Sequence, residues 1–197
     1  MARDGLPQGR CRSRLVALPF PLVAVTLVAW LALAVGPELA SATASCAHAG
    51  AHSHQVSLSK LRKAMTCLID RERARHGRHS LDSDGQLGRA AQHHTDVMLA
   101  KDCFSHRCPG EPGLGRRVKR TGYTKGYMSF RFAENLGYDN TPREMIKRWL
   151  RSRFNRHNLL KRRFRDVGVG VGWGTPKASL PDRKFETYTV VFAWRKR

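Results

Sequence analysis

The chain has 197 residues, of which 41% are hydrophobic, and this is enough for one globular domain of ordinary size. Its 36 Lys and Arg residues outnumber its 15 Asp and Glu residues, which gives a formal net charge of +21. Such a chain attracts anionic polymers and lipid headgroups. The sequence carries no recognition motif for nucleic acid, such as paired Cys and His zinc ligands, so we expect no physiological nucleic-acid partner.

The first 44 residues have the layout of an export signal. Several arginines precede a run from Leu15 to Val35 that has no charged residue, and small-residue cleavage patterns follow at residues 40–44. Because the run is also long enough to cross a bilayer, residues 1–44 are either a cleaved signal peptide or an uncleaved membrane anchor. Lipidation at Cys46 is a third alternative. In each case we expect the rest of the chain, which carries +19, to be secreted or tethered at the cell envelope.

Four of the five cysteines fall in the part that we expect to be exported, where disulfides form. Four cysteines allow three pairings. We favour a bridge between Cys103 and Cys108, which bracket a short loop, and Cys46 to Cys67 as the second pair. The alternative is that Cys67, on the apolar face of a helix, is buried and reduced.

The first half of the remaining chain predicts a linker and two helices. Residues 45–57 are small, polar and rich in histidine without periodicity, which predicts a flexible linker. Apolar residues at helical spacing then begin at Leu58, and the pattern stops at His76 and Gly77. Residues 81–102 begin with capping residues and place apolar side chains along one side of a second helix. We expect His94, on that side, to be packed rather than catalytic.

The second half predicts a mixture of short elements. A turn-rich segment leads to a short amphipathic piece around Leu114 and Val118, and residues 130–138 have the content of a strand that enters a turn. Thr141 and Pro142 form a good helix start, and this helix ends near Ser152. Two further strands, at residues 166–174 and 186–194, flank a polar loop. The pattern predicts an α+β fold with helices packed on a small, mostly antiparallel sheet.

With these elements in order, the chain from Leu58 to Trp194 resembles the CAP superfamily in its bacterial secreted branch. This superfamily comprises cysteine-rich secretory proteins, antigen 5 and plant pathogenesis-related proteins. The resemblance depends on six segments in the order of the family: "CLIDRERARHG", "LGRAAQHHTDVMLAKDCFSH", "RTGY", "AENLG", "RWLRS" and "FRDVGVGVG". It implies that residues 58–197 form the α-β-α sandwich of the family, with a cavity that opens to solvent.

The resemblance also implies the residues of that cavity, which two histidines and one or two acidic residues line in the family. His106, in "FSH", matches the first histidine, and Glu134, in "AEN", matches the acidic residue. His106 lies in the loop between two cysteines, where functional side chains concentrate. Glu134 lies where the strand gives way to a turn, so that its carboxylate can face a cleft. The alternatives are an exposed loop histidine and a structural hydrogen-bonding partner.

The stretch "RWLRSRFNRHNLL" departs from the family. Aligned on its tryptophan and its Asn-Leu-Leu run, it places Asn155 where bacterial relatives have the second histidine, and His157 at a variable position. A local slip in the alignment would instead let His157 serve as that histidine. Ser152 lies where animal and plant members have a second glutamate. We therefore take Asn155, Ser152 and His157 as candidate cavity residues beside His106 and Glu134.

The loss of one imidazole changes the expected chemistry. Imidazole nitrogens are good ligands for zinc and copper, whereas a neutral amide is a poor one, so we expect weak metal binding or none and no cofactor. Asn155 donates and accepts hydrogen bonds but cannot act as a general base. We therefore expect a monomeric, non-catalytic binding module for a lipid, a glycan or an anionic envelope polymer. The alternative is an extracellular hydrolase that uses Ser152, His106 and Glu134, although Ser152 lacks a Gly-x-Ser-x-Gly context.

Overall fold

The computed structural model describes residues 45–177 and 185–197 of the chain. The predicted signal peptide or anchor at residues 1–44 lies outside the described residues, as does most of the polar loop before the last strand. Thr43–Arg197 forms one compact unit. Within the described part, no helix combines the length and apolar character needed to cross a membrane.

The described residues form five helices and four strands. Their order along the chain is α1 (Leu58–Arg75), β1 (Asp82–Ser83), α2 (Gly85–Ala100), α3 (Leu114–Arg120), β2 (Ser129–Asp139), α4 (Pro142–Arg151), α5 (Arg153–Leu160), β3 (Asp166–Trp173) and β4 (Glu186–Lys196).

The strands form one sheet in the order β1-β3-β4-β2. β4 runs antiparallel to β3 on one side and to the whole of β2 on the other, and only the two-residue β1 is parallel to its neighbour. Successive side chains of β4 enter different cores: Val190 and Phe192 pack with α1, α4 and α5, whereas Val191 and Ala193 pack with α2 and α3. The predicted α-β-α sandwich with a mostly antiparallel sheet is confirmed.

The alternation of valine and glycine in β3 lets α2 lie directly on the sheet. A Cβ atom at Gly168 would lie 2.2 Å from the backbone carbonyl carbon of Leu87, and one at Gly170 would lie 2.5 Å from the backbone of Ala91. The intervening valines point into the opposite core. The absence of side chains at these glycines therefore fixes how close α2, which carries His94, comes to the strands.

Capping residues set the bounds of the two helices after β2. Thr141 accepts a hydrogen bond from the backbone N–H of Glu144, and Pro142 occupies the first turn, as predicted. α4 ends at Arg151, which agrees with the predicted end near Ser152. The sequence did not predict α5, which Ser152 caps. Because Leu159 is the only residue of α5 that is fully buried, this helix has no apolar periodicity to reveal it.

Both predicted disulfides are present, joining Cys46 to Cys67 and Cys103 to Cys108. Cys67 is therefore not a reduced core cysteine. The bridge from Cys46 to Cys67 ties down the segment of residues 45–57, which composition predicted to be a flexible linker. Cys46 is buried and tied to α1, and the backbone N–H of Ser53 donates to the buried carboxylate of Glu186 at 2.7 Å. These long-range ties hold the segment against the domain, and composition does not reveal them.

Replacing Gly170 by Ala should destabilise the domain by about 1–3 kcal/mol, because the added methyl group would collide with the backbone of α2. Urea denaturation of the unit Thr43–Arg197 measures this loss. Gly115→Ala is the matched control, since a Cβ atom at that exposed position in α3 meets nothing within 4 Å. Equal stability of the two variants would contradict the close packing of α2 on β3.

Candidate functional site

A cluster of charged and polar side chains lies where α2, α3, the loop before α3 and β2 meet. Its members are His94 of α2, His106 and Glu111 of the loop, Arg117 of α3 and Glu134 of β2. His106 alone among them is exposed, with 67% of its side chain accessible, and the other four are buried. The cluster is therefore a buried ionic network with one imidazole at its surface.

Arg117 bridges the two buried carboxylates. Its Nη2 lies 2.5 Å from Oε2 of Glu134, and its Nη1 lies 3.2 Å from Oε1 of Glu111. Removing a charge from water is costly unless an opposite charge compensates it nearby. One guanidinium between two carboxylates supplies that compensation, and it also joins α3 to the loop and to the sheet.

His94 is the fully buried histidine of the cluster, as expected from its place on the apolar side of α2. Its Nδ1 lies 2.8 Å from Oε2 of Glu111 and also contacts Nη1 of Arg117. The carboxylate can only accept a hydrogen bond and the guanidinium can only donate one, so Nδ1 serves Glu111 when it carries the proton and Arg117 when it does not. Nε2, 4.0 Å from Oε1 of Glu134, has no hydrogen-bond partner among the described residues.

Burial and neighbouring charges set the ionisation of His94 and Glu111. Burial lowers the pKa of His94, and the charge of Arg117 adds to this effect, outweighing the nearby carboxylates. Burial by itself would raise the pKa of Glu111, but the hydrogen bond from His94 and the charge of Arg117 outweigh it and lower that pKa. At neutral pH the cluster therefore holds a neutral His94 beside an ionised Glu111.

The structure brings His106 and Glu134 together, as the sequence resemblance implies. Nδ1 of His106 donates to Oε1 of Glu134 at 2.8 Å, and the other ring nitrogen, Nε2, forms no hydrogen bond with the described residues. The loop that carries His106 is closed by the disulfide from Cys103 to Cys108. The backbone carbonyl of His106 also accepts a hydrogen bond from Arg117 at 3.4 Å.

The position of Glu134 differs from the prediction in one respect. The sequence placed Glu134 where a strand gives way to a turn, facing a cleft, but it lies in the middle of β2, paired with Val191 of β4. β2 continues for five residues beyond Glu134, to Asp139, through a segment read as a turn. Its carboxylate is buried, and both of its oxygens have partners, His106 on one and Arg117 on the other.

Asn155 approaches the cluster through its backbone. Its carbonyl accepts a hydrogen bond from Nδ2 of Asn135, the residue next to Glu134 in β2, at 3.0 Å. Asn158, one turn further along α5, donates to Oδ1 of the same Asn135 at 3.0 Å. None of the hydrogen bonds between described residues involves the side-chain amide of Asn155, which is half-buried.

Ser152 and His157, the remaining candidates, are not part of the cluster. The hydroxyl of Ser152 caps α5 by accepting from the backbone N–H of Asn155, and no hydrogen bond in the described part joins it to His106. His157 is exposed and lines a separate cavity, together with arginines of α5 and the turn that follows. The predicted hydrolase residues are therefore present without a hydrogen-bonded triad.

The donor set of this cluster does not fit a zinc or copper ion. It offers one exposed imidazole nitrogen, on His106, because both oxygens of Glu134 already have partners. Across the described ranges, no group of three or more His, Cys, Asp and Glu side chains is placed to hold a metal. Such an ion needs several strong donors around one point.

Sequence reasoning did not identify Glu111 or Arg117 as members of the site. Glu111 lies in a turn-rich loop, and Arg117 is one of many basic residues, so each reads as a solvated surface charge. The sequence held one weak indication that Arg117 is buried. Arg117 precedes Val118, which lies on the buried face of the short amphipathic helix. Only the three-dimensional pairing shows that these charges are buried.

Comparison with known proteins adds an independent result. The family model "CAP: Cysteine-rich secretory protein family" matches residues 67–192, which include every member of the cluster. The chain is 30% identical over 116 residues to a protein of Bacillus subtilis called "Uncharacterized protein YkwD". That match covers 58% of this chain and 43% of the Bacillus protein, so the chain corresponds to less than half the length of that relative.

Solved structures show the same fold. An extracellular protein from Bacillus anthracis that contains an SCP domain superposes with a TM-score of 0.54 at 25% identity, covering 70% of this chain and 43% of that one. An outer surface protein from Borrelia burgdorferi gives 0.59 at 16% identity, covering 72% and 97%. A cysteine-rich secretory protein from Staphylococcus aureus gives 0.51 at 16% identity, covering 70% and 39%.

Replacing Arg117 by Gln should cost about 3–5 kcal/mol of folding free energy, because two buried carboxylates would lose their shared counter-charge. Chemical denaturation at neutral pH measures this loss. The control is Arg116→Gln, which removes the same charge from an exposed position one residue earlier in α3. Similar small losses for both variants would show that Arg117 does not bridge the carboxylates.

Proposed function

The chain belongs to the CAP family of cysteine-rich secretory proteins, and we propose that it acts outside the cytoplasm as a non-catalytic binding module. The family model covers more than half of the chain. The matched proteins include one named extracellular and one named an outer surface protein, which supports a location in the envelope or beyond it. The two disulfides are consistent with an oxidising compartment.

The observation that carries this proposal is the internal pairing of the candidate catalytic groups. Glu134 is bound by His106 and Arg117, and the hydroxyl of Ser152 caps α5. A nucleophile needs a base within hydrogen-bonding reach, and no hydrogen bond among the described residues joins the Ser152 hydroxyl to a base. The hydrolase alternative therefore has the residue types without the contacts that the chemistry requires.

The surface around His106 has the mixed character of a ligand-binding patch. Its Nε2 forms no hydrogen bond with the described residues and is available to a ligand, and Phe104, two residues earlier in the same loop, is exposed. The ring of Phe104 packs edge-on against Tyr138 of β2 at 5.2 Å between centroids. Aromatic faces beside a polar group suit a glycan or the headgroup region of a lipid, because such ligands present apolar and hydrogen-bonding surfaces together.

Charge supports an anionic envelope component as the class of partner. Basic residues outnumber acidic ones by more than two to one, so the protein concentrates anionic polymers and lipids at its surface. Charge of this kind speeds association and is screened by salt, whereas a shaped site supplies selectivity. Binding through the His106 patch should therefore exceed what net charge alone produces.

Replacing His106 by Ala should weaken binding of Thr43–Arg197 to acidic liposomes or bacterial envelope polymer about tenfold, because the exposed imidazole is lost from the patch. Cosedimentation at physiological salt measures this, with an unrelated protein of matched charge as reference. The control is His93→Ala, which removes an exposed imidazole from α2. The proposal fails if the parent binds no better than the reference protein, or if the two histidine variants bind alike.

A further inference from the structure

A cavity lies along α5 and the residues that follow it, and its lining does not include His106. It has a volume of about 440 Å³, and apart from Leu160 its lining is basic. The basic residues are Arg78, Arg153, Arg156, His157, Lys161 and Arg162, and we call this space the basic cavity. None of the described residues that line it is acidic.

Two arginines, Arg73 and the lining residue Arg78, hold the backbone around the basic cavity in place. The fully buried Arg73 of α1 donates to the carbonyl of Leu159 at 2.8 Å and to that of Lys161 at 3.2 Å. Arg78 donates through Nε to the carbonyl of Leu160 at 3.0 Å. These bonds satisfy the free carbonyls at the end of α5, so the positions of the lining residues are fixed by the fold.

The backbone of Arg162, another lining residue of the basic cavity, is held in the same way. The carbonyl of Arg162 accepts from Nη1 of Arg165 at 2.6 Å and lies 2.9 Å from Nε2 of His79. The backbone carbonyls of four successive residues, 159 to 162, are thus occupied by side chains from outside α5. Of the residues that line the cavity, Arg78 alone donates to one of these four carbonyls, that of Leu160, among the described contacts.

The cationic side chains themselves have no anionic partner in the described part of the chain. Ion pairs occupy Arg75, Arg117, Arg148 and Arg195, but none of them involves a residue of the basic cavity. Unpaired cations around a concave surface repel one another, and a bound anion removes that repulsion. What sets this group apart from the basic residues of the other described cavities is that six basic side chains line one cavity with no acidic residue among them.

The chemistry of the lining selects among anions. A guanidinium binds a phosphate or a carboxylate through two parallel hydrogen bonds. One arginine suffices for the two coplanar oxygens of a carboxylate, whereas a phosphate group directs three or more oxygens toward different donors. Four arginines and a lysine around 440 Å³ match a group with several such oxygens and more than one negative charge.

We propose that the basic cavity is a binding site for a multiply charged phosphate group, either free in solution or carried on a lipid headgroup. The proposal deepens the proposed function, since it rests on an anionic partner and names both its chemistry and its place. The basic cavity and the His106 patch can be tested separately, because different residues of α5 face them. The backbone of Asn155 is bonded to the strand that carries Glu134, whereas Arg153, Arg156 and His157 line the basic cavity.

Calorimetric titration of Thr43–Arg197 with pyrophosphate, at about 0.15 M ionic strength, tests this site. The parent should bind one equivalent saturably, with acetate far weaker. The double variant Arg153→Gln/Arg156→Gln should bind pyrophosphate about tenfold more weakly. Arg116→Gln/Arg131→Gln is the control, because it removes the same charge from two exposed positions outside the cavity. No saturable binding, or equal weakening in both double variants, overturns the proposal.

A second arm identifies the source of the phosphate. Vesicles of phosphatidylcholine are doped with phosphatidic acid or, at equal surface charge, with phosphatidylserine. If the protein prefers phosphatidic acid, and pyrophosphate competes with this binding, the ligand is a lipid headgroup. If it binds pyrophosphate without preferring phosphatidic acid, the ligand is a soluble phosphate. Both results support the site.

The failure of this proposal can be told apart from the failure of the proposed function. If the parent binds pyrophosphate but binds envelope polymer no better than the reference protein of matched charge, only the module proposal fails. Envelope binding that depends on His106 without pyrophosphate binding refutes only the basic cavity.

Discussion

The interaction on which the site depends is the bridge that Arg117 makes between two buried carboxylates. Without it, Glu111 and Glu134 would be like charges removed from water with only histidines to compensate them. The same guanidinium donates to the loop at His106 and contacts His94. α2, α3, the disulfide-closed loop and β2 therefore converge on one cation, and the exposed imidazole takes its position from that convergence.

The backbone packing of α2 makes this convergence possible. The glycines of β3 allow α2 to approach the sheet at backbone distance, which brings His94 to the edge of the network rather than a side-chain layer away. β4 then separates an apolar core on one face of the sheet from the face that carries the charges. The four buried members of the cluster position the fifth, His106, which is the member exposed to solvent.

Features set by local chemistry were predictable from the sequence. The capped start at Thr141, the Val-Gly strand β3 and both disulfides were predicted, and the family motifs implied that His106 and Glu134 belong to one site, though not that they form a hydrogen bond. Features set by distant contacts were not. α5 lacks apolar periodicity, β1 has two residues, and the burial of Glu111 and Arg117 exists only because they meet each other. A charge that is neutralised by a residue elsewhere in the fold looks solvated in the sequence.

α5 shows how this chain departs from the family pattern. It carries Asn155, which the sequence resemblance matches to the second family histidine. Arg153, Arg156 and His157, which lie within two residues of Asn155, line the basic cavity. The helix thus offers hydrogen-bonding and cationic groups in place of a second imidazole at the cluster. This composition is consistent with recognition of an anionic ligand rather than with metal or acid-base chemistry.

If the buried cluster is paired within the protein, His94 is neutral at neutral pH. An NMR titration of the His94 ring, in the isotopically labelled unit Thr43–Arg197, measures this. We expect a pKa for His94 below the ordinary value of about 6.5, because burial and the charge of Arg117 disfavour the imidazolium. A pKa at or above that value would show that the two carboxylates hold a proton on His94, which acid-base chemistry could then use.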